Sequence, residues 1–519
     1  MKSIIAFIAS AFMAMPVAAG VIVNPGGNIR GIAGDPARDV FYLTIDTNEV
    51  VAVTASGGIA SRVSVPGTAG TLAVTPDGTR LFVALLNTHD VAAYSLPALT
   101  YSATYNLSGT QTGPTGLAAD NRWLYATSEG GLSVYDTLGN VESYFGSPVI
   151  SSFYDTRLAL SPNGRALYAL EGTSPAALHV LDVTHDVPVF IGDACCLGGT
   201  GQDMTLSPDG ALAYVAAVYP DCLQVLGTTP PLVHDKFAGL TGPSPRAVVA
   251  ARNGSVVYLG YSEIGGGFSG FAAVRTSDWL PFHVGTLQGG MARAGLALSS
   301  SQSTLAAVIE YAGYDPNRVE LVGVSALPAN RGGIRLRPRD NVDNVPINNA
   351  RISVSEGHSD YVQVRDGVLG RAPLQSGTVN FSLTAPGHDT QSLAANVTAG
   401  SWADLGIVTM NRSGSMPDPS EVGASPSLIP GATQDVEIHG RGFIPGLNVA
   451  VGLPGITIDS FAFLDWATIG ARLTVAPGAP PGRFPIAVLV TNPGGGYAWG
   501  SLTVAPGWDR IFEDGFDAN

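Results

Sequence analysis

Leu72-Ala-Val-Thr-Pro76-Asp77-Gly78-Thr-Arg-Leu-Phe82 sets an apolar run, a tight turn and a second apolar run that ends in an aromatic ring. The same pattern returns as Leu158-Ala-Leu-Ser-Pro162-Asn163-Gly164-Arg-Ala-Leu-Tyr168 and as Met204-Thr-Leu-Ser-Pro208-Asp209-Gly210-Ala-Leu-Ala-Tyr214. Weaker copies turn at Asp35, Asp120, Asn253 and Ser301, so the seven turns stand 42, 43, 43, 46, 44 and 48 residues apart. Proline fixes φ and glycine accepts positive φ, which together make a tight connection between two strands.

A period of this length built from short strands implies one four-stranded blade per repeat, hence a β-propeller. In the second repeat the expected strands are 72–75, 80–85, 91–96 and 99–107. The first strands (Leu72-Ala-Val, Leu158-Ala-Leu, Leu296-Ala-Leu) are continuous apolar runs, the pattern of a strand buried on both faces. The seventh repeat supplies strands near 295–298, 304–310 and 318–324 but no fourth. Val21-Ile-Val23 precedes the first repeat with no blade of its own, so the expectation is that this N-terminal strand completes the last blade and closes the ring.

At 519 residues the chain is too long for one ordinary core. Residues 1–19 have the form of a secretory signal: Lys2, an apolar stretch from Ile4 to Met15, then Pro16-Val17-Ala18-Ala19 with small residues before a cleavage point. That apolar stretch is short for a membrane span, and no later segment is long and apolar enough to cross. The expected location is therefore the periplasm, the cell surface or the medium. Beyond residue 19 the chain carries 25 basic and 41 acidic residues, and Lys236 is its sole lysine. This acidity argues against nucleic-acid binding, which needs a basic footprint.

The spacing and the Ser-Pro-Asp-Gly turns resemble the YVTN-type propeller repeats of bacterial surface and periplasmic proteins, over residues 21–328 of a propeller domain expected at 20–328. Such propellers include lactonase-like enzymes, quinoprotein relatives and pure binding proteins, so the resemblance implies a fold and no single activity. Residues 333–412 alternate apolar and polar positions, as in Ala350-Arg-Ile-Ser-Val-Ser355 and Gly377-Thr-Val-Asn-Phe-Ser-Leu383. They resemble the carboxypeptidase-regulatory-like β-sandwich. Residues 413–421 read as a linker. Residues 422–505 resemble the IPT/TIG immunoglobulin-like domain through Val436-Glu-Ile-His-Gly440-Arg-Gly442-Phe443, Pro480-Pro-Gly482 and Val488-Leu-Val-Thr-Asn492-Pro493-Gly494-Gly495. Such a resemblance implies adhesion or spacer modules. The tail 506–519, with Ile511-Phe512 and Asp514-Gly515-Phe516, is similar to an end found on some exported Gram-negative proteins. The fold class read here is all-β: a seven-bladed propeller followed by two small β-sandwiches.

The default pocket of a propeller is the mouth where its inner strands begin. Residues entering those strands include Arg30, Thr71, Thr115, Arg157, Asp203, Arg246 and Arg293. Guanidinium groups hold carboxylate or phosphate bidentately, so four converging arginines suit an anionic ligand; the competing reading pairs them with Asp155, Asp203 and backbone carbonyls. Of the three cysteines, Cys222 is expected to form a disulfide with Cys195 or Cys196, and a vicinal Cys195–Cys196 bridge is the alternative. Arg335, Arg337 and Arg339 alternate and share one strand face. Asp340, Asn341, Asp343 and Asn344 carry oxygens that suit calcium, yet lack the spacing of a known calcium loop. No metal-ligand spacing, haem-attachment motif, P-loop or nucleophile elbow occurs.

The expected function is thus an exported, non-catalytic binding or cell-envelope interaction protein, with no cofactor beyond a candidate calcium. Its partner would be a protein, an envelope component or a small anion. The alternative is a lactonase-like hydrolase with its site in the mouth, and the third reading is a quinone- or haem-linked periplasmic oxidoreductase.

Overall fold

The computed structural model describes residues 20–107, 113–146, 155–172, 176–194, 200–218, 222–228, 234–239, 244–262, 269–310, 317–341, 344, 347, 350–354, 362–364, 368–385, 388–411, 422–425, 428–439, 448–451, 455–465, 468–479, 482–490 and 496–504. Every regular element among them is a strand. Residues 29–64, 69–106, 116–146, 157–194, 200–239 and 245–286 each form four antiparallel strands in sequence order. A further unit joins Gly290–Leu298, Thr304–Glu310 and Arg318–Gly323 to Val21–Val23, with Val21 opposite Leu321 and Val23 opposite Val319. These blade-like sheets make the fold propeller-like.

The turns form for the reason the sequence suggests, with one addition. Gly78, Gly164, Gly210 and Gly254 all have φ between 66° and 72°, where a Cβ is strained. The residue before the proline organises the rest of each turn. Ser207 donates its hydroxyl to Asp209 and accepts the Leu212 N–H at 2.9 Å, while its carbonyl takes the Gly210 N–H at 2.8 Å. Thr75 and Ser161 repeat the arrangement with Asp77 and Asn163.

Apolar packing runs between neighbouring units. Tyr42, Val50 and Ala52 of the first meet Leu81, Val83 and Tyr94 of the second. Such clusters recur along the series, and the last sets Val308, Val319 and Leu321 against Phe41, Leu43 and Val51, returning to the first unit. Second and third strands carry this packing: Val40–Ile45 and Arg80–Leu85 are buried at every position but the first. The first strands meet the sequence expectation unevenly: Leu296–Leu298 and Gly116–Ala119 are buried throughout, whereas Ile29–Gly34 and Arg157–Leu160 are largely half-buried, with Ile29, Arg30 and Arg157 lining a cavity.

Beyond residue 331, Gly332–Asp340 pairs antiparallel with Val368–Leu374 and parallel with Trp402–Met410. Across from them lie Arg351–Val354, Gly377–Thr384 and Gln391–Val397, enclosing Ile334, Leu336, Phe381, Leu383 and Met410. Val362–Val364 pairs with both Val368–Leu374 and His234–Gly239, the outer strand of the fifth unit, making one eight-stranded sheet. Nearby, Asn330 bonds both backbone groups of Val284 and His283 Nδ1 contacts the Pro328 carbonyl at 2.8 Å. Residues 422–504 supply seven strands, in which Val422–Ser425 pairs antiparallel with Thr433–His439 and parallel with Gly496–Val504.

Candidate functional site

A cavity of about 400 Å³ opens where the first strands of the early units begin, lined by Arg30, Thr71, Thr115, Asp155 and Arg157 among others. Its side chains are presented by irregular pairing. Between the first and second strands the register skips Arg30 in the first unit, Gly70 and Thr71 in the second, Gln202 in the fifth and Arg246 in the sixth. In the seventh, residues 292–295 all stand opposite Val308 and include Arg293 and the left-handed Ala294 (φ 49°). A β-bulge re-aims the extra residue out of the pleat, so a repeated backbone irregularity aims the mouth side chains. Sequence reasoning found most of these residues by counting from the turns but missed the bulges, and with them Gln202.

The arginines divide into two kinds. Arg293 is committed: it meets Asp155 Oδ2 and donates to the carbonyls of Gly201 (2.8 Å) and Gln202 (3.1 Å). Arg157 and Arg246 are not. Each has a buried Nε–H without a hydrogen-bond acceptor, and the nearest carboxylate to Arg157 recorded among its ion pairs is Asp155 Oδ1 at 3.9 Å. Desolvation lowers the pKa of Arg157, countered by the charge of Asp203. Arg30 is exposed at the cavity rim.

Asp203 accepts the Val248 N–H at 2.9 Å and so ties the fifth unit to the sixth. Burial pushes its carboxyl up to about 6, against the opposing pull of that N–H and of Arg157. Around the cavity stand Arg30, Arg157 and, through Asp155, Arg293, with Asp203 close to Arg157, and the positive excess grows when Asp203 takes a proton.

A second ionic cluster joins distant segments. His179 Nε2 lies 3.0 Å from Glu171 Oε1, off the hydrogen-bond line, and Nδ1 lies 3.9 Å from Asp193. Arg472 forks onto Asp435 at 2.8 and 2.7 Å and also meets Asp193. Burial, then the charges of Glu171 and Asp459, raises Asp435 to about 7. No sequence spacing signals this group, whose members come from opposite ends of the chain.

The remaining candidates fall elsewhere. Cys195 and Cys196 lie outside the described residues; Cys222 opens the strand Cys222–Gly227. Arg335 and Arg337 both face Asp404, at 2.9 and 3.7 Å, and Arg339 donates to the Asn344 carbonyl. Asn341 bonds Asn411, and Asp343 lies outside the described residues. Among the described residues, no cluster of three His, Cys, Asp or Glu side chains is placed to hold a metal ion.

No protein-family model matches this chain, and no curated protein does. Among solved structures it is similar to Kuenenia stuttgartiensis hydrazine synthase, at 14% identity and TM-score 0.46, over 58% of this chain and 96% of that one. It is also similar to U3-55K, at 15% identity and TM-score 0.46, over 59% of this chain and 99% of that one. The propeller-like assignment rests on the sheets described above.

Proposed function

We propose that the chain is an exported, non-catalytic binding protein that takes a small anion in the mouth of a seven-bladed, YVTN-type propeller. Removal of residues 1–19 as a signal would deliver it to the periplasm, the surface or the medium. In this reading residues 20–328 form the ring, with Val21–Val23 as the fourth strand of the last blade. The sandwiches at 333–412 and 422–505, the second of IPT/TIG type, act as spacer or adhesion modules. The 413–421 linker and the tail 506–519 lie outside the described residues. The cycle of inter-unit clusters supports the ring.

One observation carries the ligand class: two buried guanidinium N–H groups, on Arg157 and Arg246, have no acceptor. A buried donor without a partner costs about 1–3 kcal/mol, and an incoming carboxylate or phosphate oxygen removes that cost.

The test is a thermal-shift series on the mature chain with inorganic phosphate, organic mono- and dicarboxylates, and lactones. A ligand at 100 times its Kd adds about 2.7 kcal/mol. An anion-dependent rise that disappears in Arg157→Ala and in Arg246→Ala is the expected result. No rise with any anion removes the mouth as the binding site and leaves a protein partner, sought by pull-down. A second reading, a lactonase-like hydrolase, is favoured by Asp203, whose carboxyl near 6 suits proton transfer at neutral pH. Lactone turnover abolished by Asp203→Asn would establish it.

A further inference from the structure

Four carboxylates are buried among the described residues: Asp35, Asp136, Glu171 and Glu320. Three have a basic neighbour: Arg38 at 2.8 Å, Arg122 at 2.7 Å and His179 at 3.0 Å. Glu320 has none among the described residues. Its partner is a backbone donor, the Gln288 N–H at 2.8 Å, and burial raises its carboxyl above the usual range. A buried carboxylate without a counter-ion is destabilising, and such groups are normally paired.

Glu320 lies in Arg318–Gly323 opposite Ile22 of the N-terminal strand. Gly20 immediately precedes that strand. A Cβ on Gly20 would fall 2.6 Å from Glu320 Cγ and 2.7 Å from Oε1, with the Leu321 carbonyl at 3.0 Å. No larger residue fits without displacing the acid. The Gly20 nitrogen stands about 2.5 Å from that Cβ position, which places it within about 5 Å of Glu320 Oε1. The sequence meanwhile places the signal cleavage point after Val17-Ala18-Ala19, directly before this glycine.

We propose that cleavage between Ala19 and Gly20 supplies the missing counter-ion: the new α-ammonium of Gly20 pairs with Glu320 and fastens the N-terminal strand in the last blade. The step is hydrolysis of one peptide bond by a signal endopeptidase. Water adds across the C–N bond, Ala19 leaves with the carboxylate, and the Gly20 amine takes a proton. An α-amine titrates at about 8, so it is charged at neutral pH. The inference rests on the export reading and is independent of what the mouth binds. It makes processing a stabilising event: the precursor has an amide at this point and the mature chain has a cation.

The test uses the full mature chain collected after export. Mass spectrometry of its N-terminus should find Gly20 first. Acetylating that amine, in a Lys236→Arg background so that only one amine reacts, should lower the thermal midpoint by about 1–3 °C. In Glu320→Gln, which keeps an acceptor for Gln288, the same acetylation should change nothing, since the two effects act on one pair. An intact N-terminus in the cell would overturn the export reading itself. Cleavage at another bond, no loss on acetylation, or equal losses in both backgrounds would overturn the pairing and leave the anion-binding reading standing.

Discussion

Asp203→Asn should stabilise the protein at neutral pH and lose that advantage in acid. Burial holds the Asp203 carboxyl near 6 in the folded chain, against the ordinary 3.8. At one pKa unit per 1.36 kcal/mol, the buried charge destabilises the folded state by about 3 kcal/mol above pH 6. Asp203 is only partly enclosed by area, which brings the working figure down to about 2 kcal/mol. The sign follows from proton uptake. Between 3.8 and 6 the folded chain holds a proton that the unfolded chain has lost, so stability falls as pH rises through that window and stays lower above it. Asparagine keeps an acceptor for the Val248 N–H and carries no charge. The expected result is a midpoint roughly 3 °C higher than wild type at pH 7.5, narrowing as the pH is lowered toward 4. Melts of both proteins at four or five pH values are sufficient. An equal shift at every pH, or a loss at pH 7.5, would refute the reasoning. A chain that keeps such an aspartate gives up stability for it, which is the usual mark of a working site.

Arg293→Ala should lower stability rather than merely weaken an anion, because this side chain cross-links Asp155 to two carbonyls of the fifth unit; denaturant titration would show a loss of about 2 kcal/mol or more. Gly78→Ala should destabilise by about 1–3 kcal/mol, since φ is 66° and a Cβ would meet Ala37 at 3.0 Å. Gly323→Ala, where a Cβ meets nothing within 4 Å, should be neutral or slightly stabilising in the same assay. Ser207→Ala removes the acceptor for the Leu212 N–H and the donor to Asp209, and should cost about 1 kcal/mol, read from the shift in urea midpoint.

The blade-like units were readable because their information is local. A Pro-Asp-Gly turn and an apolar run of five or six residues fix a hairpin without reference to anything distant, and the second repeat's strands, Ala69–Val74, Arg80–Leu85, Asp90–Ser95 and Thr100–Asn106, fall within three residues of expectation. The site was readable only in outline. Position relative to the turns brought out Arg30, Arg157 and Arg246, but nothing in residue type tells that Arg293 is committed to carbonyls while Arg157 is not. Arg293 stands on a bulge while Arg157 pairs in regular register with Leu170, and such bulges arise from pairing between strands and leave no mark in composition. The Glu171–His179–Asp193–Arg472–Asp435 cluster was invisible for a stronger reason: contacts across some three hundred residues have no sequence period.

The eight-stranded sheet has a mechanical meaning. Tension applied to the chain beyond residue 332 reaches the blade-like units where Val362–Val364 lies along His234–Gly239, and where Asn330 and Pro328 grip the strand Leu280–Thr286. Both moorings belong to the fifth and sixth units. The N-terminal strand, held by three register pairs against two at the Val362–Val364 seam, sits on the seventh unit, which the pulled chain reaches only past the Asn330 grip. A pull on the tail would thus load that short seam and the Asn330 grip before the N-terminal strand.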